Sequence, residues 1–330
     1  MTTRGTPAPT ARRPAELREA LADYLGMAIA LAVLVLVFSL STRHFFSAVT
    51  FKTIANQIPS ALIVATGMTY ILIIAEIDLS VGSVLGLCSA VTGVTLVQFH
   101  WPLWAALVSA LVAGLACGAF NGLVSVQWRL PSFIVTLGML EMARGGAHFV
   151  TQSQTQYIGS AIEPVAESGV FGLSLPFLLA VLIVAAAQVV LSRTVFGRYL
   201  VAIGTNEEAV RLAGIDPRKI KLAVFVLTGL LVAIAAVIDT SRFQSANPNA
   251  GTGFELQAIA AVVIGGTSLM GGRGSVISTF FGVLIIAVLN SGLAAVGAKD
   301  ETKRLVTGAV IVAAVVVDHY RHRLGRARTS

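Results

Sequence analysis

Long apolar runs alternate with short polar, arginine-bearing segments along almost the whole chain. A helix that crosses the roughly 30 Å hydrocarbon layer of a bilayer needs about 20 mostly apolar residues. Ten stretches approach that length: 24–40, 54–75, 81–98, 103–126, 131–150, 175–192, 220–238, 255–270, 276–297 and 304–318. The pattern predicts an all-α polytopic membrane protein of about ten transmembrane helices, with one or more of them broken or re-entrant. Residues 1–23 are polar, contain Pro7, Pro9 and Pro14, and are expected to form a cytoplasmic tail ending in a short amphipathic stretch. Residues 24–318 form the transmembrane domain and 319–330 a basic tail. The first span is followed by Ser-Thr-Arg-His, without a small-x-small cleavage site, so it is read as a retained anchor.

Charge sharpens this picture. Of 330 residues, 56% are hydrophobic and only 12% charged. A soluble domain carries about 25% charged residues, so this chain has too little charge to coat a water-facing surface. A soluble enzyme, a disordered chain and a nucleic-acid-binding module are excluded together, despite a net charge of +7. The cations are also unevenly placed. With the N-terminus inside, the cytoplasmic segments hold the Lys and Arg of 4–18, 129, 193–221, 273 and 321–328. These are sixteen of the 23, against six outside and Arg144 within a span. The positive-inside rule then favours both termini in the cytoplasm. Cys88 and Cys117 fall inside spans and read as packing residues. The five histidines are scattered near span ends without metal-ligand spacing, and no Ser/His arrangement suggests a catalytic residue. The dipeptide Gly-Lys does not occur, so the chain has no P-loop of its own for ATP.

Several spans carry groups that a plain anchor would not. Ile77-Asp78-Leu79-Ser80-Val81-Gly82-Ser83 places an acid, two serines and a glycine between apolar runs. It is either a turn between two spans or a broken segment lining a transport path. In the second case Asp78 either faces the path or caps the following helix. Glu141 and Arg144 lie three apart on one helix face and are expected to form an intramembrane ion pair. Gly114, Gly118 and Gly122 form a small-xxx-small stripe suited to close helix packing. Asn56, Gln57, Ser60, Thr66, Asp78, Ser80, Asn121, Thr136, Gln257 and Asn290 are the candidate path residues. Uncharged amides and hydroxyls at depth suit a neutral, hydroxyl-rich solute whose hydrogen bonds with water must be replaced. The same groups also join helices. The glycine-dense stretch 262–275 reads as a close-packed turn.

The polar segment 193–221 predicts a short helix of about seven residues outside the bilayer. Thr205 or Asn206 would cap it, Glu207 and Glu208 would sit at its positive end, and Gly214 would end it before Pro217. Its small-residue face suits docking into a groove on another protein.

In order and spacing, several segments resemble the membrane subunit of bacterial ABC importers for ribose and related monosaccharides. They are Ile77–Ser83, Gly118–Leu123, Leu130–Gly138, Phe196–Ile215, Glu255–Gly266 with Gly271–Ser275, and the last span. The resemblance covers most of residues 54–318. It implies a permease in the bacterial inner membrane that works as a homo- or heterodimeric pair and binds no cofactor. It further implies two cytoplasmic ATP-binding subunits that hold ATP and Mg, and a periplasmic binding protein that delivers a sugar-like solute to the outer loops. The segment 205–215 would then match the loop that couples permease to ATPase, through Asn206, Glu207, Glu208, Ala209, Arg211, Leu212, Gly214 and Ile215. Three positions depart from the family pattern: Glu76 stands where a glycine is expected, Gln257 where Asp is usual, and Ser132 separates Pro131 from Phe133. The rival expectation is an ion-coupled secondary transporter of small polar solutes.

Overall fold

A computed structural model of the chain describes residues 13–42, 45–167, 169–170, 172–299, 301–310, 312–313 and 316. Residues 1–12 of the N-terminal tail, the whole C-terminal tail 319–330 and the C-terminal part of the expected last span lie outside the described residues. The described chain is a helical bundle: α1 (Arg13–Ser41), α2 (Ala48–Gln57), α3 (Pro59–Ile73), α4 (Val81–Val97), α5 (Leu103–Gln127), α6 (Ser132–Thr151), α7 (Pro164–Glu167), α8 (Leu175–Arg193), α9 (Val195–Leu212), α10 (Pro217–Phe243), α11 (Phe254–Ile264) and α12 (Val276–Ala295), followed by helix over 301–310. Strand pairing is confined to short loop ladders. One joins Gln156–Tyr157 to Ser245–Ala246 antiparallel and ties the segment after α6 to the segment after α10.

Each apolar stretch carries helix, but not every one is a full crossing. Among the described residues five helices are long and apolar enough to cross a membrane, namely the Tyr24–Ser41 part of α1, α5, α8, α10 and α12; a sixth is formed if α2 and α3 are one span bent by 49°. The bend falls where Pro59 starts α3, a position at which proline's missing N–H costs no helix bond. The expected span 255–270 needs correction. Helix α11 stops at Ile264, and Gly266 and then Gly271 take up left-handed backbone at φ +82° and +80°. Eleven residues rise about 16 Å, only half the hydrocarbon thickness, so this element is a half-helix.

Helix α3 is apolar all round, and nearly every one of its residues is buried, as such a helix must be. Helices α8, α10, α11 and α12 surround it. Tyr70 donates from Oη to the Ala187 carbonyl of α8 at 2.6 Å, and Thr69 meets Thr279 of α12, hydroxyl to hydroxyl, at 2.8 Å. Gln188 of α8 caps α12, its Oε1 accepting from the Val276 and Ile277 amides at 2.9 and 3.2 Å. Helix α1 instead keeps its apolar surface outward. The 25 residues of α5 run about 37 Å. Trp101 and Trp104 stand exposed at one end and Trp128 at the other, as in the aromatic belts at membrane interfaces.

The glycine stripe does what its spacing predicts, and its partner is α10. A methyl group at Gly114 would collide with the Gly229 carbonyl, one at Gly118 with the Phe225 carbonyl, and one at Gly122 with Leu222 and Phe225. Cys88 and Cys117 are buried free thiols.

Candidate translocation site and coupling surface

The segment 76–80 leaves the helix between α3 and α4, with Asp78 and Ser80 buried and Glu76, Ile77 and Leu79 half-buried. Asp78 is 3% exposed and Ser80 1%. The Asp78 carboxylate accepts from the Ser80 amide at 2.8 Å and the Ser80 hydroxyl at 2.6 Å. The turn thus closes just before α4, an Asx arrangement with the acid at the positive end of the helix. Asn121 of α5 donates from Nδ2 to Ser80 Oγ at 2.9 Å, while its Oδ1 is buried without a protein partner. Helix α6 holds the other side. Ser132 Oγ accepts from the Ile77 amide at 3.0 Å and Thr136 Oγ1 from the Leu79 amide at 3.1 Å. Four candidate path residues, Asp78, Ser80, Asn121 and Thr136, are thereby brought into one network that satisfies irregular backbone. Ser132 was singled out only as a break in a family pattern, yet it is part of this scaffold.

A second group of candidates faces a cavity. Gln57, Gln257 and Asn290 line a space of about 610 Å³ among α2, α3, α11 and α12. That lies within the range of small-molecule pockets, about 300–1,000 Å³. Apolar side chains such as Ile54, Ala261 and Ile286 make up most of the wall, and Thr50, Thr53 and Ser291 add hydroxyls. Thr50, Thr53 and Gln57 are at i, i+3 and i+7, so helical periodicity could have picked out the two threonines with the glutamine. The remaining candidates do not line this cavity. Asn56 Oδ1 accepts from the Ser174 amide at 3.1 Å, Thr66 donates to its own helix at the Leu62 carbonyl at 2.8 Å, and Ser60 is buried in α3.

The expected Glu141–Arg144 ion pair is not formed. Arg144 donates from Nη1 to the carbonyls of Pro248 and Ala250, at 2.7 and 2.8 Å, and Glu141 is exposed on α6. The i,i+3 spacing put both residues on one face. The loop after α10 then offers the guanidinium two fixed carbonyls that the spacing could not reveal. This loop presses on α4, where a methyl at Gly82 would strike the Gly251 carbonyl and the Glu255 carboxylate, and one at Gly86 would strike the Ala250 carbonyl.

The expected short helix 206–214 is the end of a longer element. Helix α9 runs Val195–Leu212 and breaks at Asn206, whose backbone is extended (φ −162°, ψ 96°). Asn206 Oδ1 accepts from the Ala209 amide at 3.0 Å, so Asn206 is the cap and a new helix starts there. The far end is a Schellman motif. Ile215 N–H donates to Val210 O at 3.3 Å and Gly214 N–H to Arg211 O at 3.0 Å, with Gly214 at φ +82°. Asp216 then caps α10 through the Arg218 amide. Asn206, Glu207, Glu208, Ala209, Arg211, Leu212 and Gly214 are exposed, Leu212 to 79%, and Ile215 is half-buried. Glu208 pairs with Arg211 at 2.6 Å. Glu207 pairs with Lys221 of α10 at 2.7 Å, and the same ammonium pairs with Glu76 at 2.6 Å.

A multi-helix membrane bundle with a part-buried irregular segment, a cavity carrying polar groups and an exposed capped helix defines the class as a multi-pass membrane transport protein. The chain belongs to the family described as the permease component of branched-chain amino acid transport systems, which it matches over residues 50–315. It is 39% identical over 297 residues to the ribose import permease protein RbsC of Escherichia coli K12, covering 88% of this chain and 92% of that protein. It is 34% identical to the xylose transport system permease protein XylH of the same organism, covering 88% and 90%. The fructose import permease protein FrcC of Rhizobium meliloti is 33% identical, covering 84% and 79%. These relatives are permeases, and no enzyme family is indicated.

Proposed function

We propose that the chain is the membrane-spanning subunit of an ATP-driven importer that moves a monosaccharide or a similar neutral polyhydroxyl solute. Kinship carries this reading: relatives at 33–39% identity, matched over most of their length, are named for ribose, xylose and fructose. Amides and hydroxyls spaced along a mostly apolar cavity wall, which Lys303 also lines, support it, because a sugar leaving water needs its hydrogen bonds replaced. In this reading the chain performs no covalent chemistry. ATP and Mg are held by partner ATPase subunits, a second permease subunit completes the path, and a periplasmic binding protein delivers the solute. The chain crosses the bacterial inner membrane several times with both ends in the cytoplasm, an orientation supported by the placement of sixteen of its 23 cations.

Transport then needs no strong site. Solute held weakly in the cavity leaves quickly, whereas tight binding would slow release. Residues 206–215 meet the ATPase, and nucleotide-driven closure reaches the spans through them. Their form supports this role: an extracapped, well-stopped turn of helix presenting Leu212 and two acids outward is a rigid projection, not a slack linker.

The test is reconstitution of the chain with its ATPase and binding protein in proteoliposomes. ATP-dependent uptake of a sugar is expected, and Glu207→Lys with Glu208→Lys should abolish solute-stimulated ATP hydrolysis. Uphill uptake by the chain alone under a proton or sodium gradient would instead establish a secondary transporter.

A further inference from the structure

We infer that Lys221 is a strut between the coupling segment and the irregular turn 76–80, with Glu76 as its inner anchor, so that the two move as one body. The inference rests on the coupling role proposed for 206–215.

Lys221 lies in the second turn of α10, near the positive end of the helix macrodipole, where a cation is disfavoured. Its side chain is only 13% exposed. An ammonium so placed requires acids, and it has two from distant parts of the chain: Glu76 Oε1 at 2.6 Å and Glu207 Oε2 at 2.7 Å. Glu207 is the first residue after the Asn206 cap, at the root of the exposed helix. Glu76 immediately precedes Ile77, the start of the run fastened to Ser132, Thr136 and Asn121. One side chain therefore links the outer lever to the network that shapes the irregular segment.

Backbone contacts close the same corner. Gly272 donates its amide to the Ile73 carbonyl at 2.8 Å. A methyl group at Gly204 would collide with that carbonyl, and one at Gly271 with Ala75. The end of α3, the last turn before the α9 break and the glycine loop after α11 thus abut at atomic contact. The glycines let these backbones approach, and Lys221 supplies the directional tie between them.

The role can be separated from mere stabilisation. Lys221→Met alone strands the Glu76 carboxylate in a half-buried place, whereas Glu76→Gln with Lys221→Met leaves no orphaned charge there. If the pair only stabilises the fold, the neutral double variant should transport normally. If it is a strut, the double variant should assemble and hydrolyse ATP, yet move about tenfold less solute per ATP, the factor for losing roughly one charge-assisted hydrogen bond of coupling. Lys221→Arg, which keeps both ties, should restore the ratio. Parental solute-to-ATP stoichiometry in the double variant overturns the strut. Should that variant fail to assemble, Glu76→Gln alone decides: a reduced ratio supports the inference and a parental one overturns it. The Glu207→Lys with Glu208→Lys variant is the control. If it too leaves solute-stimulated hydrolysis intact, the coupling reading itself is at fault; if it uncouples while the double variant does not, only the strut is.

Discussion

Asp78 is the residue on which the irregular segment turns. One of its oxygens receives both the amide and the hydroxyl of Ser80, and Ser80 in turn receives Asn121. Asp78→Ala would leave two buried donors without an acceptor, which costs about 1–3 kcal/mol for each unsatisfied group. Asp78→Asn keeps a carbonyl oxygen for the same donors and should cost less. Thermal unfolding of the detergent-solubilised protein should therefore rank the parent above Asn and Asn above Ala. Equal losses in the two variants would show that the charge, not the acceptor, matters. The spacing Asp-Leu-Ser-Val-Gly suggests Asp78 as the cap of α4, but the cap position is Ser80, without a side-chain cap bond, and Asp78 closes an Asx turn onto it. What surrounds the turn was not legible in the sequence: Ser132 and Thr136 reach Ile77 and Leu79 from more than fifty positions away. The same blindness misassigned Arg144. Helical spacing shows which residues share a face, but not which carbonyls a distant loop brings to it.

At the scale of elements, glycines divide into those that admit a neighbour and those that do not. Gly118 faces the Phe225 carbonyl of α10, while Gly138 of α6 has no heavy atom within 4 Å of where a Cβ would be. Gly118→Ala must push two helices apart and is expected to cost about 1–3 kcal/mol, the usual range for overpacking. Gly138→Ala meets nothing and should be neutral or stabilising, as Ala favours helix over Gly by about 1 kcal/mol. Midpoints of thermal unfolding for the two variants check the contrast; equal losses would place the α5–α10 contact elsewhere. The small-xxx-small stripe was readable because it repeats at helical period. The ends of elements were less so. Hydropathy runs without a break through Pro59, where the chain bends by 49°, and past Ile264, where α11 stops. A window of apolar residues measures transfer to lipid, and protein packed around a short helix satisfies it equally well.

For the molecule as a whole, the proposed orientation makes one claim that does not depend on counting every span. Gln154 follows α6 and Glu208 belongs to the end of α9; between them, among the described residues, the single element long and apolar enough to cross is α8. The two positions must then lie on opposite faces of the membrane. Both are exposed, and the native cysteines are buried, so an impermeant maleimide should have little background. In right-side-out vesicles Gln154→Cys should be labelled and Glu208→Cys protected, and inside-out vesicles should reverse the pattern. Labelling of both from one side would remove α8 as a crossing. Labelling of Glu208→Cys from the outside alone would invert the protein and put its capped helix where no ATPase could meet it. The cation distribution argues against that inversion: Arg193, Arg198, Arg211, Arg218, Lys219 and Lys221 flank this one segment, and dense positive charge in a short loop is what retains it in the cytoplasm.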